Sequence, residues 1–218
     1  SGWAGKCDSM RELVQAVGTD QIALCKIALI TKARPDGTLK HRIIWDLLRS
    51  FVNSRIRQGE IMILPTLIDF INDVLHIQGT PEGKKWVRLF GTDVSDAFHQ
   101  IPLDPREWRF ACLAFDGAFY YFKVVVFGAG SAPITWARYA AFLGRSAASI
   151  TDPARIRSEI YVDDPAFVVA GPASAAAIEV SLVLLWYRLL GFPLAWGKTE
   201  GGIDLRWIGC QLRLDTLA

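Results

Sequence analysis

The sequence is poor in the residues that most readily sort a chain into a class. Three histidines and four cysteines occur in 218 residues. Cys7, Cys25, Cys112 and Cys210 stand far apart, which fits neither a disulfide framework nor a zinc knuckle and indicates four reduced, mostly buried thiols. His41, His76 and His99 are equally scattered, which argues against zinc. Long apolar runs are also missing. The longest stretches without a charged residue, 124–137 and 165–178, are 14 residues each and contain Pro and Gly, too short and broken for a membrane span. Residues 1–20 carry no basic-then-apolar pattern ending in a cleavage site. The expectation is an intracellular protein, in cytoplasm or nucleus, with no membrane partner.

Charge of one sign is scarce as well: 24 Lys and Arg against 22 Asp and Glu leave a net +2. The distribution says more than the sum. Residues 26–57 hold eight basic residues (Lys26, Lys32, Arg34, Lys40, Arg42, Arg49, Arg55, Arg57) against Asp36 and Asp46, so that segment is +6 and the remainder −4. Such a lobe attracts polyanions, although a solvated charged face has the same composition. With 51% hydrophobic and 21% charged residues the chain makes one compact unit, or two lobes at most, and no disordered tail. A mean hydropathy of +0.25 with eight Trp points to apolar surface that a missing piece or a partner covers. No internal repeat is present.

Apolar periodicity predicts a basic hairpin from 22–31 and 39–47 around the turn Arg34-Pro35-Asp36-Gly37. It predicts a helix over 65–77, a core strand over 86–94, and a strand over 119–126. Pro133 suits the first turn of a helix running to 143. Residues 160–162 and 166–170 form two strands about a tight Asp163-Asp164-Pro165 turn. A helix follows over 173–190 with Gly191 at its C-cap, and then a last strand over 205–212. This order indicates an α+β fold, an antiparallel sheet with helices on one face.

The chemistry-bearing feature is Tyr161-Val162-Asp163-Asp164, two carboxylates at a hairpin tip. Alone, such a pair is ordinary turn composition. A second acidic cluster, Asp93 and Asp96, ends another apolar strand, and only a sheet that sets the two strands side by side brings Asp93 to Asp163. Three converging carboxylates repel one another unless cations neutralise them, and a pair of Mg²⁺ about 4 Å apart serves in-line attack at phosphorus. Hard oxygen ligands suit Mg²⁺.

Asp93-Val94-Ser95-Asp96-Ala97-Phe98-His99-Gln100-Ile101-Pro102-Leu103, Val126-Phe127-Gly128-Ala129-Gly130-Ser131-Ala132-Pro133 and Tyr161-Val162-Asp163-Asp164 resemble, in order and spacing, successive motifs of reverse transcriptases from retroelements. Lys40-His41-Arg42-Ile43-Ile44-Trp45-Asp46-Leu47 resembles the fingers segment of that family. Gly191-Phe192, Lys198 and Trp207-Ile208-Gly209-Cys210 resemble its final palm motifs. The resemblance covers roughly residues 22–212. It implies a polymerase palm plus a fingers subdomain, with fingers over 1–90 and 102–132 and palm over 91–101 and 133–218. No thumb, connection or RNase H region follows, so the rest of a polyprotein is expected to be missing from this chain.

The implied activity is RNA-directed DNA polymerase, a two-metal nucleotidyl transfer of dNTPs to a primer 3′-hydroxyl on an RNA or DNA template. Asp93, Val94, Asp163 and Asp164 would hold two Mg²⁺, with Mn²⁺ as the alternative ion. Asp93 and Asp163 are the leading direct ligands. Backbone amides of Val94, Ser95, Asp96, Ala97 and Phe98 would meet the incoming triphosphate. Phe98 takes the position beneath the sugar, where a flat ring excludes a 2′-hydroxyl. Phe127 stands where many relatives carry Gln, and Gly128, Gly130 and Pro133 keep that wall close to base and template. Arg42, assisted by Lys40, would pair with the triphosphate, with Lys32 or Arg34 as a second basic contact nearer the tip. Lys198 would protonate the departing pyrophosphate. Residues 207–212 would support the primer end by packing. Arg49 lies one residue off the family spacing, and Pro165 after the Asp pair removes a backbone donor. The rival readings are an inactive remnant that only binds nucleic acid and, with less support, a nucleotide cyclase. An RNA-templated RNA polymerase is disfavoured by Phe98.

Overall fold

The computed structural model describes residues 2–33 and 37–214. Arg34, Pro35 and Asp36, three residues of the anticipated hairpin turn, lie outside the described residues. In chain order the elements are β1 (Ala4–Cys7), α1 (Met10–Val17), β2 (Lys26–Ala33), β3 (Leu39–Asp46), α2 (Leu67–Gly79), β4 (Val87–Gly91), β5 (Cys112–Phe115), β6 (Ala118–Phe122), α3 (Ala132–Ser149), β7 (Ile156–Tyr161), β8 (Asp164–Ala170), α4 (Ala173–Leu189), β9 (Glu200–Gly202), β10 (Asp204–Trp207) and β11 (Cys210–Arg213). All strand pairs between these elements are antiparallel, and the fold class is α+β. Among the described residues no helix is long and apolar enough to cross a membrane.

The chain divides into two compact units, Ser1–Ile61 with Phe98–Thr135, and Met62–Ala97 with Trp136–Ala218. Residues 62–97 lie in the second unit, where α2 packs on β7 and β8 and β4 pairs with β8.

In the first unit, α1 starts where Ser9 accepts from the Glu12 amide and Glu12 reaches back to the Asp8 amide, and it stops at Gly18, whose φ of 74° is the left-handed conformation. Leu13 and Val17 bury against Cys7 and Cys112 beside the sheet β1-β6-β5. The pair β2-β3 runs in register Lys26↔Asp46 to Ala33↔Leu39. Opposed residues share a face of an antiparallel pair, so Lys26, Lys32, Lys40 and Arg42 all emerge on one side. Ile27, Leu29, Ile43 and Trp45 emerge on the other. The base of this ribbon is anchored: Trp45, with Ile27 packed beside it, joins the core formed with Cys25, Leu47, Leu113 and Val126.

In the second unit, the sheet order is β7-β8-β4-β9. A capping box between Thr66 and Asp69 starts α2, which buries Phe70, Val74 and Ile77 against Leu89, Val168, Leu205 and Trp207. Phe167 points the other way, its ring 6.5 Å from that of Tyr187 on α4. Trp186 of α4 donates to Ser146 of α3, so these two helices cover that second face together. Helices therefore lie on both faces of this sheet, which corrects the expectation of one face. The cause is legible in β8: every residue from Pro165 to Ala170 is buried, as a strand covered on both sides requires.

Two further expectations need correction. The hairpin turn sits at Val162-Asp163 rather than Asp163-Asp164-Pro165, because Asp164 pairs with Tyr161 and Pro165 with Ile160 inside the ladder. The predicted strand over 205–212 is a hairpin, β10-β11, reversed at Ile208 (φ 42°) and Gly209 (φ 85°). The short β1, α1 and β5 were not anticipated, and residues 200–202, expected to belong to a loop over 196–202, instead form β9 against β4.

Candidate functional site

The acidic turn is held by its backbone. The carbonyl of Val162 accepts from Trp136 Nε1 at 2.6 Å, that of Asp163 from the Val94 amide at 2.7 Å, and that of Asp164 from Trp207 Nε1 at 3.0 Å. Both indoles are almost fully buried. Val162 has a φ of 57°, a strained conformation for a β-branched residue, and it persists because its neighbours over-determine it. The strand β4 continues toward β8 beyond its last ladder residue: the Thr92 amide donates to Pro165 and the Val94 amide to Asp163, with Asp93 between them. Asp93 in turn receives the Ala195 amide on its carbonyl at 2.8 Å. Residues 70 positions apart in sequence are thus brought to one place.

The electrostatics agree with that placement. Burial first, and then the charges of Asp93 and Asp163, push the Asp164 carboxyl up to about 7, with Glu200 adding to the rise and Lys198 opposing it. Lys198 Nζ lies 2.5 Å from Asp93 Oδ2. Thr199 and Thr92 bond through their hydroxyls at 2.9 Å, tying the segment that follows Lys198 to the strand end that precedes Asp93. The donors are hard oxygens and their mutual repulsion is what a divalent cation relieves, so the chemistry fits Mg²⁺. In the arrangement described, however, no group of three or more His, Cys, Asp or Glu among the described residues closes on one ion; the Lys198 ammonium is the cation on Asp93. Glu200 was missed by the sequence reading, although it stands two residues past Lys198. Trp136 was missed because nothing in its local sequence marks a bond to residue 162.

Two of the five amides expected to meet the triphosphate bond to carbonyls of the chain itself. The Val94 amide is spent on Asp163, and the Ser95 amide on the Pro193 carbonyl at 2.9 Å. Asp96 adopts φ 51° and is exposed, while Ala97 is buried.

The remaining candidates lie in the first unit. Phe98 and Phe127 are in ring contact, centroids 5.1 Å apart and planes at 60°, and His99 meets Phe127 edge-on at 5.3 Å. Gly128 has φ 115°, and a Cβ there would run into the Trp45 carbonyl. Asn53, which no sequence signal singled out, clamps this loop: its amide donates to the Gly128 carbonyl and its oxygen accepts from the Gly130 amide, both at 2.8 Å. Lys40 and Arg42 share the basic face of β2-β3, and Lys32 stands directly opposite Lys40. Arg34, the other candidate for a second basic contact, lies outside the described residues.

No family model matches the sequence, and no curated protein matches it. Solved structures do. A foamy virus protease-reverse transcriptase in complex with double-stranded DNA aligns over 87% of this chain and 30% of its own, with TM-score 0.64 and 15% identity. The fold is reverse-transcriptase-like. The foamy virus enzyme in complex with an RNA/DNA hybrid gives TM-score 0.60 at 15% identity over 87% of this chain. Native prototype foamy virus protease-reverse transcriptase gives 0.58 at 13% identity over 93%. At these identities the likeness is one of fold, and this chain spans about a quarter of the length of the proteins it matches.

Proposed function

We propose that this chain is the fingers-and-palm portion of a retroelement RNA-directed DNA polymerase, transferring nucleotidyl groups from dNTPs to a primer 3′-hydroxyl on an RNA or DNA template. The second unit is the palm and the first the fingers. The observation that carries this reading is the pinning of three successive carbonyls at Val162, Asp163 and Asp164, with Asp93 laced alongside. A backbone so fixed preorganises acidic side chains for ligation rather than for a mobile surface turn. The reverse-transcriptase-like fold supports it, as do neighbours whose structures contain duplex DNA and an RNA/DNA hybrid.

Asp93, Asp163 and Asp164, with the carbonyl of Val94, are the residues that would hold Mg²⁺ or Mn²⁺. When bound, two such ions lower the pKa of the attacking hydroxyl and neutralise charge on the departing pyrophosphate. The chain's own residues do the rest. Phe98, braced by Phe127, closes the space that a 2′-hydroxyl would need and so selects deoxynucleotides. Gly128 and Gly130, held by Asn53, keep a flat wall for base and template. Arg42 offers a planar two-point contact to phosphate, with Lys40 and Lys32 adding positive charge on the same face. Lys198 carries the proton for the leaving group. Incorporation of dTMP on poly(rA)/oligo(dT), present in the wild type and absent in Asp163→Asn, is the expected result; incorporation that survives the substitution overturns the metal roles.

One observation favours a second reading. Lys198 already neutralises Asp93, and no ready metal cage exists among the described residues. An inactive remnant would then bind nucleic acid through the basic face of β2-β3. Salt-dependent duplex binding without extension, even with a thumb supplied, supports that alternative.

A further inference from the structure

The contact between Lys198 and Asp93 is built by the backbone rather than by chance proximity. Leu194 bridges Val94, the Ser95 amide donates to Pro193, and the Ala195 amide donates to Asp93 itself. The Lys198 amide then returns to the Ala195 carbonyl at 2.8 Å, closing a short helical turn over Trp196–Lys198. This lacing delivers one ammonium group to one carboxylate on a short tether. The two partners differ in their access to water: the Lys198 side chain is 56% exposed and that of Asp93 21%. The ammonium can leave into solvent while the carboxylate stays.

We infer that Lys198 is a resident cation that competes with the divalent ion for Asp93, so that metal entry and release of Lys198 are one exchange. The inference rests on the reading of Asp93, Asp163 and Asp164 as the metal-holding set. An ammonium at 2.5 Å and a divalent ion cannot share the same carboxylate oxygen without strong repulsion. The acidic cluster is therefore partly neutralised in the metal-free chain, and the amine that metal displaces is freed beside the leaving group it serves. Linkage makes the effect reciprocal: the factor by which Lys198 weakens metal binding is the factor by which metal weakens the Lys198 contact.

The test is Mn²⁺ titration of the full chain, with free Mn²⁺ followed by electron paramagnetic resonance. Lys198→Ala and Lys198→Gln are expected to bind Mn²⁺ about fivefold more tightly than wild type, the counterpart of a partly exposed ion pair at the strong end of its range. Lys198→Arg, which retains the charge, is expected to stay near wild type, and Asp93→Asn to lose binding. A merely structural lysine would weaken binding on removal, the opposite sign. Equal or weaker binding by Lys198→Ala and Lys198→Gln, with Asp93→Asn still defective, overturns the exchange and leaves the metal-holding set standing; absence of binding in wild type overturns both. A second measurement needs no variant: Mn²⁺ is expected to raise the rate of reductive methylation of Lys198 in the wild-type chain, and an unchanged or lower rate contradicts the exchange.

Discussion

The strand β8 is buried from Pro165 to Ala170, whereas β2 exposes seven of its eight residues. One follows the acidic turn, the other carries basic residues, and each belongs to an antiparallel pair. The acids sit at the rim of a strand packed on both faces, and hydrogen bonds to three consecutive carbonyls fix the turn. The cations sit on a ribbon anchored at its base by Ile27 and Trp45, its outer half without apolar cover. Ligation of a small ion tolerates little positional error, so rigid support suits the acids. On the proposed reading, attraction of a phosphate chain acts over a Debye length of about 8–10 Å and tolerates more, so an exposed ribbon suffices.

The sharpest way to break this contrast is to cut both strands. Phe167→Ala is expected to destabilise the protein by about 3–5 kcal/mol, because a ring enclosed on the α4 side leaves a cavity. Leu29→Ala on the open ribbon is expected to stay within about 0.5 kcal/mol. Urea unfolding of both variants measures the difference, and comparable losses would show that the ribbon is supported as firmly as the sheet.

A smaller effect sharpens the account of the acidic turn. Trp207→Phe keeps a ring in the α2 core but removes the N–H that Asp164 accepts from, leaving a carbonyl without its donor. The expected cost is about 1–3 kcal/mol by the same unfolding measurement. A neutral result would mean that the turn holds its shape without this bond.

The smallest expected effect is on pH dependence, and it too separates the regions. In the second unit Asp164 and Glu159 are both pushed up to about 7, each chiefly by burial, with Asp93 and Asp163 adding to the first and Asp73 and Asp69 to the second. The folded chain therefore keeps two protons that the unfolded chain, with carboxyls near about 4, releases. Stability is highest at the acid end of that window, falls as pH rises from about 4 through 7, and levels off above it. Solvent screening limits the change to about 1 kcal/mol. In the first unit Asp104 is lowered to about 2, mainly by its hydrogen bonds from Arg106, and adds stability that is lost only in stronger acid. Denaturant midpoints at pH 5 and pH 7.5, in wild type and Asp164→Asn, check the sign; a wild-type midpoint higher at pH 7.5 contradicts it.

Where the sequence was legible, periodicity or motif order carried the information. The apolar spacing of α2, the Gly191 stop signal of α4 and the continuous run in β8 predicted those elements closely, and the motif order predicted that Asp93 approaches Asp163. The turn was misplaced because Asp-Asp-Pro reads as turn composition. What moves Asp164 into the strand is its ladder pairing with Tyr161 and the bond from Trp207, neither of them local in sequence. Ile208-Gly209 reverses the chain without the usual Asn-Gly signal, so β10 and β11 merged into one expected strand. The same run in β8 that marked a strand also carried the sign of two-sided burial, which the one-face expectation overlooked. Asn53 and Glu200 are long-range partners in this respect: their roles come from residues 75 and 36 positions away, Gly128 and Asp164.

The most direct measurement of the central claim, that Asp93, Asp163 and Asp164 jointly hold divalent ions, is anomalous diffraction from crystals of the chain soaked in Mn²⁺. The account predicts a strong peak coordinated by carboxylate oxygens of Asp93 and Asp163, with the Lys198 ammonium withdrawn from Asp93. A map with no peak there, and Lys198 still on Asp93 at saturating Mn²⁺, would contradict it.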